Sequence, residues 1–315
     1  MALRAFFDES GLNPHEDKAL IMGGYLGTVE EWERVSEAWD ACLSTPPGIG
    51  YFKSDEAKNL QGEFLHFNHA TADQKKCDLA AIVGSSNLQG FCASVPHVML
   101  AHRDPSATKQ TAGSRTYDWG FFTSTSGVLQ YARDHYPDEA TVDFVFDERR
   151  ELAQCVSLLN ELKELAQEYA PWTNAFSRAG TCTPGDDKKV VPLQMGDLLA
   201  GEFSSMGNAE NPPSEAWKRL SVRGIVHIPC DMPRPIPILI ALQGMGKQIK
   251  DSSGKILKRI YKDKERTSEL AADCDDLIAR QALFEAAMNT LIKMHESDEG
   301  FRRFQEIMRS KNELE

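Results

Sequence analysis

Three acidic positions, far apart in the chain, share a local setting. Asp8 and Glu9 end the apolar run of RAFFDESG, Asp147 and Glu148 end the alternating run of VDFVFDERR, and Asp197 lies in PLQMGDLLAGE with Gln194 three residues before it. Hard divalent cations take oxygen ligands, and Mg²⁺ is typically held by one or two carboxylates, with water and phosphate oxygens completing the shell. Two such ions about 4 Å apart activate a water and stabilise the leaving oxygen in phosphodiester cleavage. Carboxylates from three distant segments are the minimum set for that chemistry. The first two positions also have plainer readings. Asp-Glu-Ser-Gly is a common turn composition, and FDERR suits a solvated strand end with an arginine salt bridge. Asp197 is harder to place in a turn, because Leu193, Met195, Gly196, Leu198, Leu199 and Ala200 surround it. Gly196 and Gly201 weaken a helix, so close packing against another element is the expected compensation. A carboxylate on such a face needs a partner or a metal.

The elements that must position these residues follow from periodicity. Residues 3–7 read as a strand, SGLNPHEDK as a turn and ALIMGGYLG as a second strand, together a β-hairpin with a long loop. TVEEWERVSEAWDACL follows as an amphipathic helix. Thr28 and Glu31 have capping-box spacing, and Trp32, Val35, Trp39 and Leu43 form one apolar stripe. YFKSDEAKN reads as a short strand and loop, TADQKKCDLAAIVG as a helix and LQGFCASVPHVML as a strand. RTYDWGFFTSTSGVLQYARDHY is a long helix, ATVDFVFDERR an alternating strand, and residues 151–169 a further helix. WTNAFS reads as one more strand and TPGDDKK as a loop leading into the helix that carries Asp197. Residues 1–207 are therefore expected to form an α/β core and residues 208–315 a mainly helical extension.

Composition narrows the class. Hydrophobic residues at 41% and charged residues at 26% are ordinary for a globular protein. The longest apolar runs, such as IPILIAL, are too short to cross a bilayer, and no secretory pattern opens the chain, so a cytoplasmic location is expected. The seven cysteines include no C-x-x-C pair, which argues against a disulfide framework and a structural zinc site. A net charge of −12 opposes coating of nucleic acid by bulk electrostatics. It leaves room for an acidic site neutralised by divalent metal. The stretch 247–266 is locally basic, with eight Lys or Arg against three acidic residues. It is either a solvated face or a backbone contact made through Lys255, Lys258 and Arg259.

Taken in order, FFDESG, GGYLGTVEEWERVSEAW, VDFVFDER and VPLQMGDLLAGE resemble a bacterial family catalogued as domain of unknown function 3800, which is assigned to the ribonuclease H-like superfold. The resemblance covers residues 5–202. It implies a mixed sheet flanked by helices and an acidic cluster binding Mg²⁺ or Mn²⁺, with Asp8 as the central ligand, Asp147 as the second-strand carboxylate and Asp197 as the helix carboxylate. Glu9, Glu148 and Gln194 become outer-shell or alternate ligands. The chain departs from the pattern at Gly196, where alanine is usual. It also lacks a clear glutamate on its first helix, since Glu30, Glu31 and Glu37 lie off the apolar stripe. Asp55 and Glu56 are possible substitutes, and Lys53 and His66 suit phosphate orientation or proton transfer. The expected function is a metal-dependent nuclease. The alternative is a non-catalytic binding or assembly module that keeps the fold. An ATP-handling role is weaker, because GMGK lacks the spacing of a phosphate loop.

Overall fold

The computed structural model describes residues 2–13, 17–97, 109–137, 139–169, 174–206 and 213–229. Of the expected extension only residues 213–229 are described, and the basic stretch 247–266 lies outside the described residues. Residues 1–159 and 178–230 form one compact unit, and the described parts of the second are residues 160–169 and 174–177.

The core is a mixed six-stranded sheet in the order β5-β4-β1-β2-β3-β6. Its strands are β1 (Ala2–Ser10), β2 (Ala19–Thr28), β3 (Gln89–Pro96), β4 (Thr141–Asp147), β5 (Ala179–Gly185) and β6 (Ile225–Pro229). β2 is antiparallel to both β1 and β3, whereas β4 is parallel to β1, β5 to β4 and β6 to β3. Every strand but β2 therefore runs the same way, and the carboxyl ends of β1, β4 and β5 share one edge. Ligands of open α/β sheets bind outside that edge.

Strand alternation sorts the side chains to two faces. Phe6, Tyr25 and Val145 look toward α1 (Val29–Ser44), α3 (His69–Gly84), α7 (Val191–Met206) and α8 (Glu215–Leu220), where they meet Trp32, Trp39, Leu79, Leu198 and Leu220. On the opposite face Phe7 stacks on Phe146 at 5.4 Å, and Phe146 meets Phe121 of α4 (Lys109–His135) at 4.6 Å. Asp8 and Asp147 follow Phe7 and Phe146 by one residue and so turn to the α7 face.

The hairpin, the long helix α4 and α5 (Leu152–Tyr169) form where the sequence predicts them. In α1 the expected stripe of Trp32, Val35, Trp39 and Leu43 is buried. Its cap is half of the expected box: Thr28 Oγ1 accepts from Glu31 N at 3.3 Å, while the Glu31 carboxylate accepts from Arg34 and from Asn87 N. Three segments correct the sequence reading. YFKSDEAKN contains a helix, α2 (Ser54–Asn59), in place of the expected short strand and loop. WTNAFS ends in a short helix, α6 (Asn174–Ser177). Part of the expected TPGDDKK loop is the end of β5, an edge strand whose Pro184 needs no ladder donor. The sheet also continues past residue 207, because β6 pairs with β3.

Candidate functional site

The carboxylates of Asp8, Glu9 and Asp147 converge, with one oxygen from each lying within 4.8 Å of the others. Parallel pairing of β1 with β4 makes this meeting, since Phe7 sits opposite Phe146 and both strands then present an aspartate at the same level. Asp8 is also the register partner of Gly23 on β2. That glycine, with Gly196, lets α7 come down onto the sheet. A Cβ on Gly23 would stand 2.6 Å from Ala200 N, and one on Gly196 would stand 3.0 Å from both Asp8 N and Gly23 O. Small residues on both sides thus bring Asp197, the next residue of α7, over Asp8.

Asp197 stands outside the close triplet but within its field. Burial pushes the Asp8 carboxyl well above its usual range, and the charges of Asp197, Glu9 and Asp147 push it further. The 2.7 Å hydrogen bond from Glu9 N to Asp8 Oδ1 pulls the other way. Burial likewise raises Asp197 to about 7, opposed by the Ser54 backbone N–H and by Lys53. That N–H donates to Asp197 Oδ2 at 2.5 Å and is one of the orphan donors at the start of α2, so α7 caps α2 across the fold. Ser54 Oγ returns a bond to Asp197 O at 2.9 Å. Burial raises Glu9 to about 7 against the pull of Arg149, whose guanidinium donates to the Glu9 carboxylate. Asp147 is raised by burial and by the charge of Asp187, with Lys53 opposing.

Two residues complete the constellation. Asp187, in the β5–α7 loop, is buried and pairs with Lys53 Nζ at 2.5 Å. Burial works against the Lys53 ammonium, yet Asp187, Asp8 and Asp197 together hold its pKa above the usual lysine range. Glu9, Asp147 and Asp197 are each in turn pulled down by the same ammonium. Lys53 is therefore the shared counter-charge of five carboxylates: Asp8, Glu9, Asp147, Asp187 and Asp197.

Among known proteins, the chain finds no match to a family model, a curated protein or a solved structure. Its own geometry carries the reading of the site.

The remaining sequence candidates fall elsewhere. Glu148 is exposed, and its N–H donates to Gly185 O at 2.9 Å. Gln194 is buried and its amide is committed to the protein: Oε1 accepts from Trp39 Nε1 at 3.0 Å and Phe52 N at 3.1 Å, and Nε2 donates to Asp187 O at 3.0 Å. It ties α1, the segment before α2 and the Asp187 loop to α7. Asp55 is exposed and accepts from Asn59, Glu56 accepts from Tyr51 Oη and Glu63 N, and His66 is exposed. Sequence reasoning missed Asp187 and placed Arg149 only in a salt bridge. The signal for Asp187 was the single apolar-flanked turn GDDKKVV; for Arg149 it was adjacency to Asp147 and Glu148.

Proposed function

We propose that this protein is a metal-dependent nuclease of ribonuclease H-like architecture, related to the domain of unknown function 3800 family. The mixed sheet with helices on both faces and the acidic cluster at its carboxyl edge support the architecture. The convergence of Asp8, Glu9 and Asp147 within 4.8 Å, inside the field of Asp197, carries the functional reading.

The donor set fits Mg²⁺ or Mn²⁺. It offers hard carboxylate oxygens with no thiol or imidazole in the triplet. Buried like charges this close leave Asp8 raised, which is the electrostatic condition that a divalent cation relieves. Asp8, Glu9 and Asp147 would hold the ion, and Asp197, outside the close triplet, is the additional ligand that the helix would bring. When bound, such an ion supplies Lewis acidity that activates water and stabilises a leaving 3′-oxygen. The chain's own residues do the rest. Glu9 N–H fixes the Asp8 carboxylate, the α2 start fixes Asp197, and the Lys53 ammonium, held on Asp187 at 2.5 Å, supplies positive charge beside the cluster.

Mutation tests the reading. Asp8→Asn and Asp197→Asn should each abolish Mn²⁺-dependent cleavage of a labelled oligonucleotide while the thermal melt stays cooperative; cleavage retained by either variant rejects the assignment. A second reading, a binding module without catalysis, is favoured by the internal neutralisation of Asp187 by Lys53 and of Glu9 by Arg149. It predicts no stabilisation by Mg²⁺ or Mn²⁺ in a thermal melt, whereas the nuclease reading predicts stabilisation that grows with ion concentration.

A further inference from the structure

We propose that Arg149 is a positioning residue of the acidic cluster: set against the Tyr117 ring, its guanidinium holds the Glu9 carboxylate at the sheet edge as an oxygen ligand of the divalent ion. The inference rests on the metal reading of the site and names the residue that keeps one of its ligands in place.

Glu9 starts from the wrong side of the sheet. Strand alternation sends Asp8 and Asp147 to the α7 face, and it sends Glu9, two residues after Phe7, to the α4 face with Phe7 and Phe146. A Glu9 oxygen nonetheless lies within 4.8 Å of oxygens of Asp8 and Asp147. Parallel pairing of Phe7 with Phe146 carries Glu9 one level beyond Asp147, the last residue of β4, so its side chain can turn around the end of that strand. Glutamate is among the side chains that lose most rotamer freedom when held in one place. Something must hold it there.

Arg149 supplies the hold. It is the second residue after β4, and its Nη1 donates to Glu9 Oε1. A carboxylate carries lone pairs on both oxygens, so this bond leaves Glu9 able to ligate an ion as well. The guanidinium is met from a second side. Its carbon lies 5.8 Å from the centroid of the Tyr117 ring, within cation–π range. Tyr117 is buried on α4, one turn before Phe121, the ring that meets Phe146. The Tyr117 hydroxyl has no hydrogen-bond partner, so the ring is what this residue offers Arg149. The other acidic neighbour, Glu151, stands 4.0 Å from Arg149 Nε, at the outer limit of an ion pair, which makes the bond to Glu9 the direct one.

A flexible ammonium could neutralise Glu9 equally well. A planar fork set against a ring also fixes direction. Hydrogen bonds to ligating carboxylates set their orientation, and loss of such an outer partner typically costs about 10–100-fold in metal affinity. Pure neutralisation has the opposite sign: a guanidinium that only competed with the ion would, once removed, leave tighter binding.

The test reads the Mn²⁺ affinity of the full chain from the electron paramagnetic resonance of free Mn²⁺, with no nucleic acid present. Arg149→Met keeps an aliphatic stem without the guanidinium and should weaken Mn²⁺ binding about 10–100-fold. Arg149→Lys keeps the charge without the fork and should fall between the parent and Arg149→Met. In a Glu9→Gln background Arg149→Met should cost little more, because a residue that acts through Glu9 has nothing left to position. Should Arg149→Met fail to fold, Arg149→Lys carries the same comparison in both backgrounds. Parent-like or tighter binding by Arg149→Met, parent-like binding by Arg149→Lys, or single losses that multiply in the double variant would each overturn the proposal. A parent chain that binds no Mn²⁺ overturns it together with the metal reading. A chain whose Mn²⁺ binding depends on Arg149 through Glu9, but which never cleaves a labelled oligonucleotide, upholds the proposal and rejects the nuclease reading alone.

Discussion

Gly23→Ala is the sharpest probe of how the site is built. The added Cβ would stand 2.6 Å from Ala200 N and 2.9 Å from Ala200 Cα and Cβ. Comfortable contact begins near 3.5 Å, so α7 must lift by roughly 1 Å or β2 must sink by the same amount. Both neighbours are backbone held in regular hydrogen bonds, which leaves no flexible side chain to give way. Overpacking of this kind costs about 1–3 kcal/mol. For a core of this size the melting temperature falls by about 2–4 °C for each kcal/mol. Asp197 lies three residues before Ala200 on α7 and moves with it. A misplacement near 1 Å can cost about a hundredfold in rate. Thermal melts with and without Mn²⁺, followed by a cleavage assay, read the two effects separately. Adding Ala200→Gly removes the Cβ contact and leaves the contact with the backbone nitrogen, so rescue should be partial. A Gly23→Ala chain with the parent melting temperature and the parent Mn²⁺ response would refute the account of α7 docking.

Two further outcomes follow from the same geometry. Glu9 and Asp197, raised to about 7 from ordinary values of 4.5 and 3.8, keep protons in the folded chain that the unfolded chain has already released. Their contribution to stability is complete below the ordinary carboxylate range and is lost as pH rises through about 7. The metal-free protein should therefore need less denaturant to unfold near pH 8 than near pH 5. Combining Glu9→Gln with Asp197→Asn should shrink that difference, and a parent chain that is more stable near pH 8 in EDTA would contradict the sign. Gln194→Leu strands Trp39 Nε1, Phe52 N and Asp187 O inside the core. At about 1–3 kcal/mol for each unsatisfied group, the loss should be at least about 3 kcal/mol by denaturant titration, and a loss below about 1 kcal/mol would mean that the amide is not the tie described.

The parts legible in sequence were those whose pattern carried its own cause. The stripe of α1 is periodic because one face is buried, and the alternation of VDFVFD reports a strand with one face against aromatic residues. Asp8, Asp147 and the packed setting of Asp197 were readable for the same reason: each interrupts an apolar pattern. β5 was hidden because it is an edge strand with most of its residues partly or fully exposed, which leaves no alternation to read. α2 was hidden because six residues carry too little periodicity, and its first N–H is satisfied by Asp197 from far along the chain. Gln194 looked like a ligand by spacing, whereas its burial among Trp39, Phe52 and Asp187 depends on three segments that sequence does not bring together. Lys53 stood out in the sequence only as a cation suited to orienting a phosphate. Its place among five carboxylates was not legible, because that is a property of the folded edge.

The capping of α2 by Asp197 has a consequence for the order of assembly. The chain emits Asp8 among its first residues and Asp197 nearly two hundred residues later, with Asp147 and Asp187 between them. Until α7 lies across β1 and β2, α2 lacks its cap, Lys53 has no complete set of carboxylates to face, and the three acidic segments remain apart. A growing or partly unfolded chain therefore carries the separate parts of the acidic cluster without the cluster. For the proposed nuclease, completion of the fold would itself be the safety catch.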